Sequence, residues 1–208
     1  MKTLILIAGV LLLRATFAQE NVKSEVGMDH LVPVRGLHDD KESWDYESKL
    51  RKILLAEVPE KPAAFALVKT GPGAPEFYVS LVKEKGDRYF VEVRQATRNI
   101  WYGDKDGENP VKVYQEAVPV KKGKEIEGLW ARMLQGVRHP GASKKYAEAF
   151  DGGETYFAAW ILGEGIMAGE TDSPAKRDGD VSKMNGLVQW MFQQAIKPEP
   201  VDSAKDSR

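Results

Sequence analysis

The chain has 208 residues, with 30 Lys and Arg against 31 Asp and Glu, a net charge of −1 and no cysteine. The lack of cysteine excludes disulfides, thiolate zinc sites and cysteine nucleophiles. The balanced charge excludes recognition of a polyanion by bulk attraction, so nucleic acid is not an expected partner.

Residues 1–18 read as a signal peptide. Lys2 supplies a positive start, residues 4–13 are an apolar run, and Thr16-Phe17-Ala18 places small residues where a signal peptidase reads. The run is too short to span a bilayer, and the competing reading is an uncleaved short anchor. Cleavage after Ala18 leaves 190 residues and, with Lys2 and Arg14 removed, a net charge of −3. No second long apolar run follows, so no membrane association is expected after cleavage. The absence of cysteine and of any Asn-x-Ser/Thr acceptor suits a bacterial protein of the periplasm or extracellular space.

Residues 19–44 are polar and lack periodicity, which predicts a flexible leader. A helix is expected over 44–58, where Tyr46, Leu50, Ile53, Leu54 and Val58 recur at helical spacing before Pro59. A first strand is expected over 64–69, followed by a rigid Gly- and Pro-rich loop. The clearest hairpin is 76–84 with 88–94: Phe77, Val79 and Leu81 alternate on one strand, Tyr89, Val91 and Val93 on the other. Arg88, Glu92 and Arg94 alternate on the outer side, which predicts a solvated sheet face. Residues 99–110 read as a loop and 111–120 as another strand.

Ile126, Leu129, Trp130, Met133, Leu134 and Val137 define an amphipathic helix beginning after Gly123 and ending at His139-Pro140-Gly141. Residues 144–150 read as a short helix or loop. Residues 155–162 are apolar on both faces, as in a central strand, and Gly163-Glu164-Gly165 turns the chain into a short return strand. After the polar stretch 172–179, Asp180 or Ser182 is placed to cap a final helix carrying Val181, Met184, Val188, Met191 and Ala195 on one stripe. Residues 198–208 read as a disordered tail.

These elements predict one α+β domain over 45–197, an antiparallel sheet of five or six strands with two main amphipathic helices on one face.

Several motifs touch on chemistry. Ser80-Leu81-Val82-Lys83 and Lys69-Thr70-Gly71 match the short signatures of penicillin-recognising serine enzymes, but strand geometry sends Ser80 and Lys83 to opposite faces. Gly163, Gly165 and Gly169 mimic a dinucleotide fingerprint without the helix that must follow. The oxygen-rich run from Asp104 to Asn109 lacks the glycine and later glutamate of a calcium loop, so no metal is expected there. No cofactor is expected either.

His139 at a helix end reads first as a cap favoured by the helix dipole. With Asp151 or Glu154 as partner it is the one candidate acid–base set in the chain. Trp101 and Tyr102, beside the acidic run, read first as aromatics that close the end of the core; as an exposed patch they are the candidate ligand-binding aromatics, with Asp172 and Asp178 from the polar stretch as polar contributors. The expected function is an exported, non-catalytic binding domain for a protein or small ligand of the cell envelope. A hydrolase using His139 with Asp151 or Glu154 is the alternative.

Overall fold

The computed structural model describes residues 29–31, 33–34, 41–56, 58, 61–71, 74–103, 109–138, 155–171 and 178–197. Its elements in chain order are α1 (Lys41–Leu54), β1 (Ala64–Val68), β2 (Phe77–Glu84), β3 (Arg88–Ala96), α2 (Ile100–Gly103), β4 (Val111–Val118), α3 (Val120–Gln135), β5 (Thr155–Ile161), β6 (Gly165–Glu170) and α4 (Asp180–Ala195). The strands form one antiparallel sheet in the order β4-β3-β2-β1-β5-β6. This is the α+β architecture expected from the element pattern. A meander runs from β1 to β4, α3 crosses over, and β5 lands on the free side of β1 with Ala66 opposite Phe157.

The main core lies on the first face of the sheet. Alternation puts Val79, Leu81, Val91, Val93 and Phe157 on that face, where they meet Ile126, Trp130 and Leu134 of α3 and Met184, Val188 and Met191 of α4. The Trp130 indole N–H donates to the Phe65 carbonyl at 3.1 Å, which lets a polar nitrogen enter the core. The third helix starts at Val120, before Gly123 rather than after it. Gly123 belongs inside the helix because its bare Cα rests on the Tyr89 ring, where a Cβ would collide with the ring carbons.

The second face carries its own smaller core. Leu50 and Leu54 of α1 and Ile100 of α2 pack on Leu67, Tyr78 and Ala96. So α3 and α4 share one face as expected, whereas α1 lies on the other. The expectation of a solvated outer face also needs correction. Arg88 is exposed, but Arg94 is buried and Glu92 largely withdrawn from water.

The predicted leader is tied down in part. Leu31 is fully buried in the main core, and its carbonyl accepts the Arg138 N–H at 3.1 Å. Neither Asp180 nor Ser182 caps α4. Gly179 holds the cap position and has no side chain to offer. The Asp29 carboxylate takes over, accepting the Val181 N–H at 3.2 Å from 152 residues away.

Candidate functional site

At one end of the second face, α1 and α2 flank an open groove of about 440 Å³ lined by Lys41, Glu42, Asp45, Tyr46, Lys49, Ile100 and Trp101. The groove follows from a short helix where the sequence predicts loop. Three polar side chains build it. Asn109 braces the strand end: its Oδ1 accepts from the Thr97 and Arg98 N–H groups and the Thr97 hydroxyl, and its Nδ2 donates to the Arg98 carbonyl. With that oxygen engaged by three donors, Asn109 is a structural pin rather than an ion ligand.

Asn99 caps α2, its Oδ1 accepting the Tyr102 N–H at 3.0 Å while its Nδ2 reaches the Ala74 carbonyl. Glu76, fully buried, accepts the Ile100 N–H at 2.7 Å on one oxygen and the Tyr46 hydroxyl at 3.0 Å on the other. One carboxylate therefore locks α2 to α1.

Trp101 is the product of this scaffolding. It stands edge-on to Tyr46, ring centroids 4.8 Å apart, and stays 41% exposed at the groove wall. Tyr102 beside it is 60% exposed. An exposed indole beside a hydrogen-bonded turn has little freedom left to lose, so a ligand stacking on it would meet a preorganised surface. The rim carries both signs of charge, Lys41 and Lys49 against Glu42 and Asp45.

The second face holds a further polar cluster toward its centre. Tyr78 stands opposite Arg94 and Ser80 opposite Glu92 on β2 and β3, all four withdrawn from water. Burial pushes the Tyr78 hydroxyl up to about 12, opposed by the Ser80 hydroxyl and reinforced by Glu92. Burial likewise raises the Glu92 carboxyl above the ordinary glutamate range, against the pull of Arg94. Glu92 Oε1 and Arg94 Nε, in adjacent same-face positions, find no hydrogen-bond partner among the described residues. Their Oε1-to-Nη1 separation is 3.9 Å, a loose pair.

Ser80 does not meet Lys83. The lysine lies over the other face, with its Nζ 3.4 Å from Glu127, whose carboxylate also accepts the Tyr89 hydroxyl at 2.6 Å.

The structure thus brings Trp101 to the groove wall, while Tyr102 beside it is exposed without lining the groove. It does not bring Asp178 to them: that residue is exposed at the start of α4, with φ of 63°, and does not line the groove. Asp172, His139, Asp151 and Glu154 lie outside the described residues, as does the acidic run 104–108. Tyr46 and Glu76 escaped sequence reasoning. Tyr46 reads as one more apolar position of a helix stripe, and Glu76 as a strand-edge charge. The signal available was a glutamate two residues before a buried strand position, which does not distinguish a buried anchor from a solvated one.

Among the described residues no group of three or more His, Asp or Glu side chains is placed to hold a metal ion. Comparison of the chain with family models, curated proteins and solved structures finds no match.

Proposed function

We propose that the chain is an exported, non-catalytic binding domain that takes its ligand in the groove between α1 and α2. The observation that carries this reading is Trp101, partly exposed at the wall of a groove of about 440 Å³ and fixed there by Tyr46 and the buried Glu76. Interfaces concentrate their energy in such anchored aromatic residues. The ligand chemistry that fits is a short segment or small molecule of the cell envelope with an aromatic or long aliphatic part for Trp101. Its charges of both signs would face Lys41, Glu42, Asp45 and Lys49, all carried by α1. Export rests on residues 1–18, and N-terminal sequencing of the exported protein should begin at Gln19.

The test is enrichment of a randomised peptide library on the mature protein, followed by titration of the enriched peptides against Trp101→Ala. Loss of affinity of tenfold or more is expected, in the range of an anchoring aromatic residue at an interface. Peptides that bind Trp101→Ala as tightly as the native chain would remove the groove from consideration. Turnover in a hydrolase panel that His139→Ala abolishes would replace the reading with the hydrolase alternative.

A further inference from the structure

We propose that β4 is a dimerisation edge. Two copies of this chain pair antiparallel through their β4 strands about a twofold axis at Tyr114, joining two six-stranded sheets into one.

Among the described residues β4 ends the sheet on one side, next to β3 alone. Most of its length is exposed, with Val113 at 55% and Lys112, Gln115, Glu116 and Ala117 open to solvent as well. An edge strand leaves a row of backbone donors and acceptors unused.

The phase of that row follows from one bond. Thr97 N–H donates to the Pro110 carbonyl, just past the register that sets Ala96 opposite Val111. Pro110 therefore faces β3, and by alternation so do the backbone groups of Lys112, Tyr114, Glu116 and Val118. The N–H and C=O groups of Val111, Val113, Gln115 and Ala117 point outward.

A twofold axis at Tyr114 matches these outward groups to themselves. Val113 meets the partner's Gln115, and Val111 meets the partner's Ala117, each pair twice by symmetry. That gives about eight hydrogen bonds, all from groups that bond to no described residue of the monomer.

The side chains select the same register. Lys112 and Glu116 sit two residues to either side of Tyr114 on one face of the strand. In this pairing Lys112 stands opposite the partner's Glu116, again twice. Both fall at positions without direct backbone bonds, where opposed side chains approach most closely. A slip of two residues sets Lys112 against the partner's Tyr114 or the partner's Val118 and loses both ion pairs. A slip of one mismatches the outward backbone groups.

Among the described residues neither Lys112 nor Glu116 is engaged by another side chain. Lone charges on an edge strand oppose pairing with strands at large. Opposite signs placed symmetrically lift that opposition for a second copy, in one register. The other edge lacks this property, since β6 carries a single charge, Glu170.

The experiment is sedimentation velocity of the mature protein from low to high micromolar concentration. A monomer–dimer equilibrium is expected. Lys112→Glu puts like charges opposite each other at two symmetric positions and should raise the dissociation constant about tenfold or more. Glu116→Lys should do the same, and the double exchange Lys112→Glu/Glu116→Lys should restore the native value. Val113→Pro removes an outward N–H that β3 does not use, so it should leave the circular dichroism and melting of the monomer unchanged while abolishing the dimer.

A monomer at high micromolar concentration overturns the proposal. So does a dimer indifferent to Val113→Pro, or a failure of the double exchange to restore pairing.

Discussion

The cap on α4 offers the sharpest test of the fold, because its two halves lie 152 residues apart. The helix begins at Asp180 behind Gly179, whose backbone is extended at φ −79° and ψ 172° and which lacks a capping side chain. Asp29 supplies the acceptor. Replacing Asp29 with Ala removes a hydrogen bond to the Val181 N–H and a negative charge at the positive end of the helix. Losses of this kind cost about 1 kcal/mol for the cap, within a range of about 0.5–2, and about 0.3–1 for the dipole. For a chain of this size that corresponds to a fall in Tm of roughly 2–12 °C, at about 2–4 °C per kcal/mol.

Gly179→Ala tests the same contact from the other side. The backbone angles at 179 suit any residue, so the cost comes from the new Cβ, which would strike the Asp29 carboxylate and push it off the helix end. The two substitutions must therefore be non-additive. In the Asp29→Ala background the carboxylate is gone, and Gly179→Ala should cost about 0.5–2 kcal/mol less than it does in the native chain. Urea unfolding of the native chain, both single variants and the double variant closes the cycle. Additivity within about 0.3–0.5 kcal/mol, the tolerance for independent sites, would refute the capping argument.

The remaining predictions concern the anchors of the two faces. Leu31→Ala should destabilise the chain by about 2–5 kcal/mol, as for any fully buried leucine; a loss under about 0.5 kcal/mol in urea unfolding, the level of a surface change, would mean that Leu31 is not part of the core. Glu76→Ala strips α2 of its anchor and leaves the Ile100 N–H without its partner, so stability should fall by about 1–3 kcal/mol. Quenching of Trp101 by acrylamide should rise with it, and unchanged quenching would show that α2 is held by other means.

Glu92 sets a pH dependence. Its folded carboxyl titrates above the ordinary range because of burial, so its protonated form favours the folded chain. That contribution is fully present below the unfolded value and is lost as pH rises through the raised folded value. Relative to the native chain, Glu92→Gln should therefore gain stability as pH climbs from the acid range to neutrality. A difference that is flat or falls over that interval, measured by thermal unfolding, would contradict the assignment.

Local pattern was a reliable guide wherever a residue's burial depended on its near neighbours. The alternation of Phe77, Val79 and Leu81 against Tyr89, Val91 and Val93 is the β2–β3 hairpin, and the helical spacing from Ile126 to Leu134 is the buried stripe of α3. Trp101 and Tyr102 were legible as a candidate pair from their place beside the acidic run, but local sequence favoured closure of the core, and only the structure leaves them 41% and 60% exposed. The groove that Trp101 borders was not legible, since Tyr46 lies 55 positions from Trp101 and nothing local pairs them.

By itself, then, and apart from α2, which reads as loop, the sequence determined the element types, their bounds to within a few residues, the two apolar stripes of α3 and α4 and the α+β class. Each of these rests on side chains a few residues apart along one backbone period. Only the tertiary structure decided the placement of β5 beside β1, the seating of α1 on the opposite face, the burial of Leu31, Glu92 and Arg94, and the capping of α4 by Asp29. These are contacts between segments distant in sequence. Their outcome depends on which surfaces remain uncovered once the sheet has closed, and no window of neighbouring residues carries that information.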